Sequence, residues 1–226
     1  MLIETGFKTP LLLNYTQWED GQTGGVGMFS TNGQVSENYR VIADDPWGKK
    51  TVVWEARPDS ENNADGGWNG SYIPIDPSFT YRLSTWVRRP VTGDGSFYLG
   101  CRTSPTVLNR GDGAANGNPY FWVGTPSSDW ELVVGHIHPA NSGTGAVHPD
   151  SGRYTVKGKF AGIGLDFTFA PGTTTLRHRS YLFYSTDTTT RQQWVYPRID
   201  KCDGSEPSIA DLLSGHDSRS FEVVKR

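Results

Sequence analysis

Apolar and polar residues alternate with a period of two from Phe79 to Arg88. Such alternation is typical of a β-strand that buries one of its faces. The apolar positions that share one face are Phe79, Tyr81, Leu83 and Val87. The opposite face carries Arg82, Ser84, Trp86 and Arg88. We therefore predict a strand that exposes a tryptophan between two guanidinium groups.

An exposed Trp86 flanked by arginines suggests a contact surface. Aromatic rings stack on the C–H faces of sugars, and forked guanidinium donors recognise hydroxyl or carboxylate groups, so this face suits a glycan. The alternative is that Trp86 simply lies beneath a loop, because single tryptophans on a protein surface need no ligand.

Other apolar runs bounded by Gly, Pro, Asn or Asp indicate further short strands. They are Leu11–Tyr15, Tyr39–Ala43, Thr51–Ala56, Ser71–Ile75, Ser96–Arg102, Tyr120–Val123, Trp130–His138, Tyr154–Lys159, Ile163–Phe169, Ser180–Ser185 and Gln193–Ile199. This content predicts an all-β fold, an antiparallel sandwich or a barrel, and we favour a jelly-roll sandwich. The long polar segments Arg57–Asn69, Thr103–Asn118 and Pro139–Gly152 are candidate binding loops or plain solvated insertions.

The character of the chain changes after Asp200. Pro207 stands near a first helical turn and Gly215 just past its end, which predicts a short helix. The apolar residues on one face of that helix are Ile209, Leu212 and Leu213. A helix this short must dock on the sandwich, on another subunit or on a neighbouring protein. We therefore divide the chain into a β-domain over residues 1–202 and a docking helix with a C-terminal arm over residues 203–226.

Composition supports short strands joined by many turns, since the 226 residues include 27 Gly and 14 Pro. The formal net charge of −3 provides no electrostatic footprint for nucleic acid or an anionic membrane. No apolar run approaches the ~18 residues that a membrane span requires, and the first residues lack the pattern of an export signal. We therefore expect a soluble protein that is made in the cytoplasm and contacts neither nucleic acid nor the membrane interior.

Three segments resemble the β-jelly-roll carbohydrate-binding modules, the galactose-binding-like sandwiches attached to polysaccharide-degrading enzymes and to phage tail proteins. They are Asp76–Arg88, Ser128–Gly135 and Trp194–Asp200, and the resemblance spans roughly Asn14 to Asp200. It implies a jelly roll that binds carbohydrate. The family usually holds a structural calcium ion, for which Asn14, Glu19 and Asp200 are the candidate ligands, but this sequence lacks a clear version of the family's opening strand, and we predict no cofactor.

The segment Pro197–Leu213 is also similar to the endings of tailed-phage structural and fibre proteins, in which a short docking helix follows a jelly-roll head. This resemblance implies a virion protein, which would be made without a signal peptide and would meet its glycan outside the cell. It also implies contacts with other virion proteins.

A catalytic function would require particular side-chain types at particular spacings. Glycoside hydrolysis needs a pair of carboxylates, and Glu55, Glu131 and Asp166 each stand alone among apolar neighbours. A polysaccharide lyase uses His and Tyr as acid and base beside Arg or Gln, and Gly135–His138 and Arg177–Tyr181 offer these side chains. Lyase activity therefore stays an alternative, and we predict no catalytic residues.

His136, His138 and His148 are candidate metal ligands, but no carboxylate completes the set by its spacing, so we expect no metal there. Cys101 lies in a strand pattern and Cys202 in a turn-rich segment. Two isolated cysteines do not form a disulfide framework. We expect Cys101 to be a buried free thiol, because an unpaired cysteine behaves as a small hydrophobic residue.

We predict a non-catalytic carbohydrate-binding or adhesion component of a phage tail fibre or virion surface. The candidate carbohydrate-binding residues are Arg82, Trp86, Arg88, Tyr98, Arg102, Trp122, Trp194, Tyr196 and Arg198. The expected partner is a host-surface glycan, and a homo-oligomer, above all a trimer, would convert weak single contacts into avidity. The alternative is a purely structural virion protein whose aromatic residues are buried between subunits.

Overall fold

A computed structural model describes residues 11–215 of the chain. The strands are β1 Phe29–Thr31, β2 Asn38–Asp44, β3 Lys50–Ala56, β4 Ala64–Gly70, β5 Ile73–Pro74, β6 Thr80–Val91, β7 Ser96–Thr103, β8 Leu108–Asn109, β9 Tyr120–Gly124, β10 Glu131–His138, β11 Gly152–Thr155, β12 Gly158–Ala161, β13 Phe167–Thr168, β14 Thr175–Phe183 and β15 Arg191–Cys202. Within these residues the α-helix α1 covers Ile209–Ser214, and a 3-10 turn covers Val35–Glu37. The expected all-β fold is confirmed.

The strands form two packed sheets. The larger sheet has the order β12-β11-β10-β6-β15-β3-β2, with β13 and β8 joined to it beside β10. The smaller sheet has the order β1-β4-β14-β7-β9, with β5 beside β14. Nearly all neighbours are antiparallel, so the fold is a jelly-roll-like β-sandwich.

The core between the sheets is built from interlocking aromatic rings. Trp54 of the larger sheet lies 5.4 Å from Trp68 of the smaller one, and Trp68 lies 5.6 Å from Trp194, measured between ring centroids. Trp18, from the segment before β1, completes this group at 5.5 Å from Trp54. Tilted and edge-on contacts of this kind stabilise beyond the apolar area that they bury.

The alternation along β6 is confirmed. Tyr81, Leu83 and Val87 are buried between the sheets, and Phe79 packs against the same cluster. Cys101 is also confirmed as a buried free thiol, and burial raises its pKa to about 12. Cys202 is free as well.

Some expected boundaries are wrong. Leu11–Tyr15 forms no strand, because the chain turns directly after the buried Leu13, where the Asn14 side chain accepts from the Thr16 amide at 2.9 Å. The Tyr154–Lys159 segment is a hairpin, β11 and β12, and not one strand.

The segment Arg57–Asn69 is not a loop throughout, since it contains most of β4. The sequence Ala-Asp-Gly-Gly-Trp-Asn-Gly reads as a turn, yet β4 pairs with β1 and β14 inside the smaller sheet. Gly67 has φ +95°, and a Cβ there would collide with the backbone of Ser180. Glycine is therefore required by the close approach of two strands.

The C-terminal helix is confirmed, and it docks on the sandwich itself. Ser208 caps α1 by accepting from the Asp211 amide at 3.1 Å, and Gly215 ends it in the left-handed region at φ 73°. Leu212 is buried on the outer face of the larger sheet, where Trp47 Nε1 donates to the Leu213 carbonyl oxygen at 2.7 Å. The predicted C-terminal arm lies outside the described residues.

The part of the chain that the structure describes includes no helix with the length and apolarity needed to cross a membrane.

Candidate functional site

The outer face of β6 is covered, so the prediction that Trp86 is exposed is wrong. Trp86 is only 2% exposed and belongs to a second apolar cluster on the outer face of the larger sheet. Trp47 meets its ring edge-on at a centroid distance of 5.6 Å, and Leu212 of α1 packs in the same cluster. The helix and the Trp47 loop together take the place that a sugar was expected to occupy.

Arg82 and Arg198 are also buried and do not face solvent as predicted. The Arg82 Nη2 donates to Asp200 Oδ2 at 2.8 Å and to the Pro207 carbonyl oxygen at 2.7 Å. Arg198 Nη2 donates to Asp200 Oδ1 at 2.7 Å. The carboxylate of Asp200 thus bridges two guanidinium groups beneath the segment that leads into α1. The role of Asp200 as a calcium ligand stays a prediction. A calcium ion would have to compete with both arginines for the Asp200 carboxylate.

Trp194 is also inaccessible, contrary to the prediction, because it is fully buried between the sheets. Its ring meets Trp68 edge-on. A register shift in β15 between Val195 and Arg198 alters the alternation that the sequence suggests. Trp194 is therefore part of the core.

Three other predicted residues are half-buried, Arg88 and Tyr196 on the larger sheet and Trp122 on β9 of the smaller one. Arg88 lies 4.6 Å above the Trp130 ring, and its Nε donates to Gln193. Tyr196 donates to Asp45 Oδ2 at 2.9 Å. Trp122 lies under Arg153, at 4.4 Å. The structure brings Trp86, Tyr196 and Arg198 together around one small pocket beside α1, but the pocket is too closed for a saccharide.

The three histidines do converge, around a carboxylate that their spacing did not reveal. The rings of His136 and His148 stack at a centroid distance of 4.0 Å. Asp166 accepts from the backbone amides of both residues, at 2.9 and 2.7 Å, and from the Ser151 hydroxyl at 2.8 Å. Burial lowers the pKa of His136 to about 3. Because these two rings stack face to face, their nitrogens do not point at a common ligand position. The hydrogen bonds of Asp166 instead connect β10 with the loop that carries His148 and Ser151.

The outer face of the smaller sheet carries a further group of aromatic rings, in which Tyr184 is exposed, Tyr181 is only 4% exposed and the others are half-buried. We call it the aromatic face, and it consists of Tyr98, Tyr120, Tyr181, Phe183 and Tyr184. Tyr98 lies 4.8 Å from Tyr120 and 5.6 Å from Phe183. Tyr181 closes the group at 6.1 Å from Tyr120 and 5.3 Å from Phe183. Tyr184 extends it, at 5.3 Å from Phe183 and 53% exposed.

Polar groups surround these rings. Arg179 lies 4.7 Å above the Tyr120 ring, and the Tyr181 hydroxyl donates to Asn69 Oδ1 at 2.5 Å. Arg102 is exposed on the same face, opposite Arg177 in the β7–β14 pairing. Among the residues that the structure describes, these three arginines form no ion pair within 4.0 Å. Burial raises the pKa of Tyr181 to about 12, which keeps its hydroxyl protonated at neutral pH.

Comparison with known proteins supports the fold. No protein-family model matches the sequence, and no curated protein matches it. An exo-β-agarase structure matches with a TM-score of 0.50 and 9% identity, over 88% of this chain and 25% of that chain. The CBM22-1 xylan-binding domain of Paenibacillus barcinonensis Xyn10C matches with a TM-score of 0.40 and 14% identity, over 85% of this chain and 94% of that domain. A CBM4 structure matches with a TM-score of 0.41 and 11% identity, over 84% of this chain and 99% of that one.

These similarities concern the β-sandwich alone. The chain spans about a quarter of the length of the agarase that it matches. The expected virion location, oligomeric state and particle partners stay predictions.

Of the predicted contact residues, Tyr98 and Arg102 lie on the aromatic face, and the other rings of this face were missed. The signal was present in β14, where Arg177, Arg179, Tyr181 and Phe183 alternate with residues that face the core. The predicted strand began only at Ser180, so it left out Arg177 and Arg179 and the alternation was not recognised. Extending the strand back to Thr175 would have placed two arginines beside Tyr181 and Phe183.

Proposed function

We propose that the protein binds carbohydrate through the aromatic face of its smaller sheet. The observation that supports this proposal is the closed group of Tyr98, Tyr120, Tyr181 and Phe183, with ring centroids 4.8 to 6.1 Å apart on the outside of the sandwich. Aromatic rings fixed on a rigid sheet can receive the C–H face of a pyranose at low entropic cost.

The polar groups on this face would supply orientation and selectivity. Arg102 projects a guanidinium that is free of ion pairs among the described residues, and it can donate two parallel hydrogen bonds to neighbouring hydroxyls or to a sugar carboxylate. Arg179 is only 6% exposed and donates to Asn118 Oδ1 and the Pro119 carbonyl oxygen, at 3.3 Å each, so it supports the rings from below and Arg102 is the guanidinium that a glycan can reach. We infer that a neutral or acidic glycan fits this face better than a basic one.

We propose binding without catalysis. His178, the histidine of the candidate lyase segment on β14, is fully buried. Its Nδ1 accepts from Trp68 Nε1 at 3.3 Å, and its Nε2 lies 3.2 Å from the Ser84 carbonyl oxygen. It therefore cannot exchange a proton with a polysaccharide on the aromatic face.

A glycan array followed by calorimetry on the binding sugar tests the proposal. We expect Tyr98→Ala and Arg102→Ala each to weaken binding by about tenfold or more, the loss of roughly 1.4 kcal/mol of contact energy. Phe160→Ala is the control, since Phe160 is an exposed ring, 50% exposed, on the larger sheet and away from the aromatic face. Equal losses in Phe160→Ala, or an array without any binding sugar, would refute the proposal.

We also propose that the protein works as an oligomeric adhesion component of a phage tail or virion surface. This part is supported by the similarity of the segment Pro197–Leu213 to tailed-phage structural proteins and by the gain in avidity that repeated weak sites provide. Mass spectrometry of purified virus particles and native mass spectrometry of the isolated chain would test it. A chain missing from the particles would contradict the virion role, and a strictly monomeric chain the oligomer.

A further inference from the structure

A group of three carboxylates lies at the end of the sandwich where β2 begins. Glu37 ends the 3-10 turn, Asp59 belongs to the loop after β3, and Asp65 is the second residue of β4. One carboxylate oxygen of each residue lies within 4.8 Å of the corresponding oxygens of the other two. The fold therefore brings together three acidic groups that are separate along the chain.

Two of these carboxylates are buried with an oxygen that has no hydrogen-bond partner. Glu37 is 1% exposed and Asp65 is 0% exposed, and the unpartnered atoms are Glu37 Oε1 and Asp65 Oδ1. Their other oxygens accept from the backbone amides of Gln34 and Ser185. A buried acceptor without a donor costs free energy, and a buried carboxylate costs considerably more. Such orphan oxygens indicate a ligand that the protein atoms do not supply.

The charge of these three carboxylates is not compensated by any cation among the residues that the structure describes. Within residues 11–215, none of the three carboxylates forms an ion pair within 4.0 Å. Asp59 accepts only neutral hydrogen bonds, from the Glu61 amide at 2.7 Å and from Gln34 Nε2 at 3.2 Å. A bound cation would therefore compensate three carboxylates that lack a cationic partner within the described part of the chain.

The surroundings favour a cation with oxygen ligands. Gly33 has φ +75°, and a Cβ at this position would collide with both Glu37 Oε2 and the Ala64 carbonyl oxygen. Glycine therefore lets the backbone pass directly beside these two oxygens, where any side chain would displace them. Carboxylate and backbone carbonyl oxygens are the ligands that Ca²⁺ prefers, and no nitrogen or sulfur ligand belongs to the group.

We propose that Glu37, Asp59 and Asp65 bind a calcium ion. This site is separate from the Asn14, Glu19 and Asp200 set that the sequence resemblance implies. The ion would join the 3-10 turn, the loop after β3 and β4, and half-buried Asp59 marks its entry. The Ser185 amide donates to Asp65 Oδ2 at 2.8 Å, so the ion would also hold the turn that follows Tyr184.

Calcium titration of the full-length protein after treatment with a chelator tests this proposal without any sugar. We expect calorimetry with CaCl₂ to show one ion bound at this site. We expect 1 mM CaCl₂ to raise the melting temperature by about 5 °C relative to EDTA, because an ion that binds only the folded state stabilises it. Asp59→Asn and Asp65→Asn should each weaken calcium binding by at least about tenfold, because each removes a charged ligand.

Glu61→Gln is the matched control, because Glu61 is an exposed carboxylate in the same loop but outside the cluster. Its calcium affinity should equal that of the wild type. The proposal is overturned if calcium gives neither heat nor a thermal shift, or if both Asn variants keep the wild-type affinity. It is also overturned if the metal-free protein gains stability on acidification from pH 7.5 to 5.5 and calcium adds nothing, since protons then neutralise the cluster.

Discussion

Replacing Asp200 by Asn should destabilise the protein far more than replacing an exposed aspartate nearby. Asp200 is 2% exposed and lies between Arg82, 3% exposed, and Arg198, 6% exposed. Its Oδ2 accepts from Arg82 Nε and Nη2 at 3.1 and 2.8 Å, and its Oδ1 accepts from Arg198 Nε and Nη2 at 3.1 and 2.7 Å. Asparagine keeps the shape and one acceptor oxygen but turns an amide NH₂ towards one of the guanidinium groups.

The expected magnitude follows from the charge that would remain. Removing one partner of a buried ion pair costs about 3–5 kcal/mol, because the other charge stays buried without compensation. Here two arginines would share that penalty, and Arg82 would keep the Pro207 carbonyl oxygen as an acceptor. We therefore expect a loss of about 4 kcal/mol in the free energy of unfolding.

Urea unfolding followed by tryptophan fluorescence measures this loss. Asp203→Asn is the matched control, because Asp203 pairs with Lys201 at 3.3 Å with both side chains about one third exposed. Exposed pairs contribute about 1 kcal/mol or less, so this variant should unfold nearly as the wild type does. A loss below about 1 kcal/mol for Asp200→Asn would refute the reasoning, because the two buried arginines would then not depend on its charge.

Two further predictions concern α1 and the core. Leu212→Ala should lower the free energy that holds α1 on the sheet by about 2 kcal/mol. The amides of residues 208–215 should then exchange their hydrogens faster, and unchanged protection would exclude Leu212 as the residue that anchors the helix over Trp86. Burial lowers the pKa of His178 to about 4, so its contribution to stability is complete above about pH 6.5 and is lost as the pH falls towards 4. Between pH 7 and pH 4.5 the free energy of unfolding should therefore fall less in His178→Gln than in the wild type, by up to about 3 kcal/mol. Urea titrations of both proteins at a series of pH values measure this difference, and parallel pH profiles would contradict the assignment.

Local patterns predicted the parts of the fold that depend on neighbouring residues. The alternation along β6 gave its two faces, since side chains on a strand alternate by geometry. The helix was predictable because its boundaries are chemical, with Ser208 as the cap and Gly215 in the left-handed region. Both features are set within about ten residues of sequence.

Features that depend on distant segments were not predictable in this way. Strand β4 was hidden because Gly67 lies where a neighbouring backbone approaches, and a strand with few side chains resembles a loop. Trp86 was placed on the correct face of β6, but what covers it comes from Leu212 and Trp47, which are far away in sequence. Periodicity shows which residues share a face, and it carries no information about what packs on that face.

The two outer faces of the sandwich differ in charge compensation more than in side-chain type. On the larger sheet, Arg82 and Arg198 share the carboxylate of Asp200 under a helix. On the smaller sheet, Arg179 has aromatic and carbonyl neighbours, and neither Arg179 nor the exposed Arg102 has a carboxylate within 4.0 Å among the described residues. A guanidinium group without an internal anion keeps its strongest hydrogen-bonding capacity for a ligand. For this reason the aromatic face, and not the strand with the clearest sequence pattern, is the better candidate for contact with a glycan.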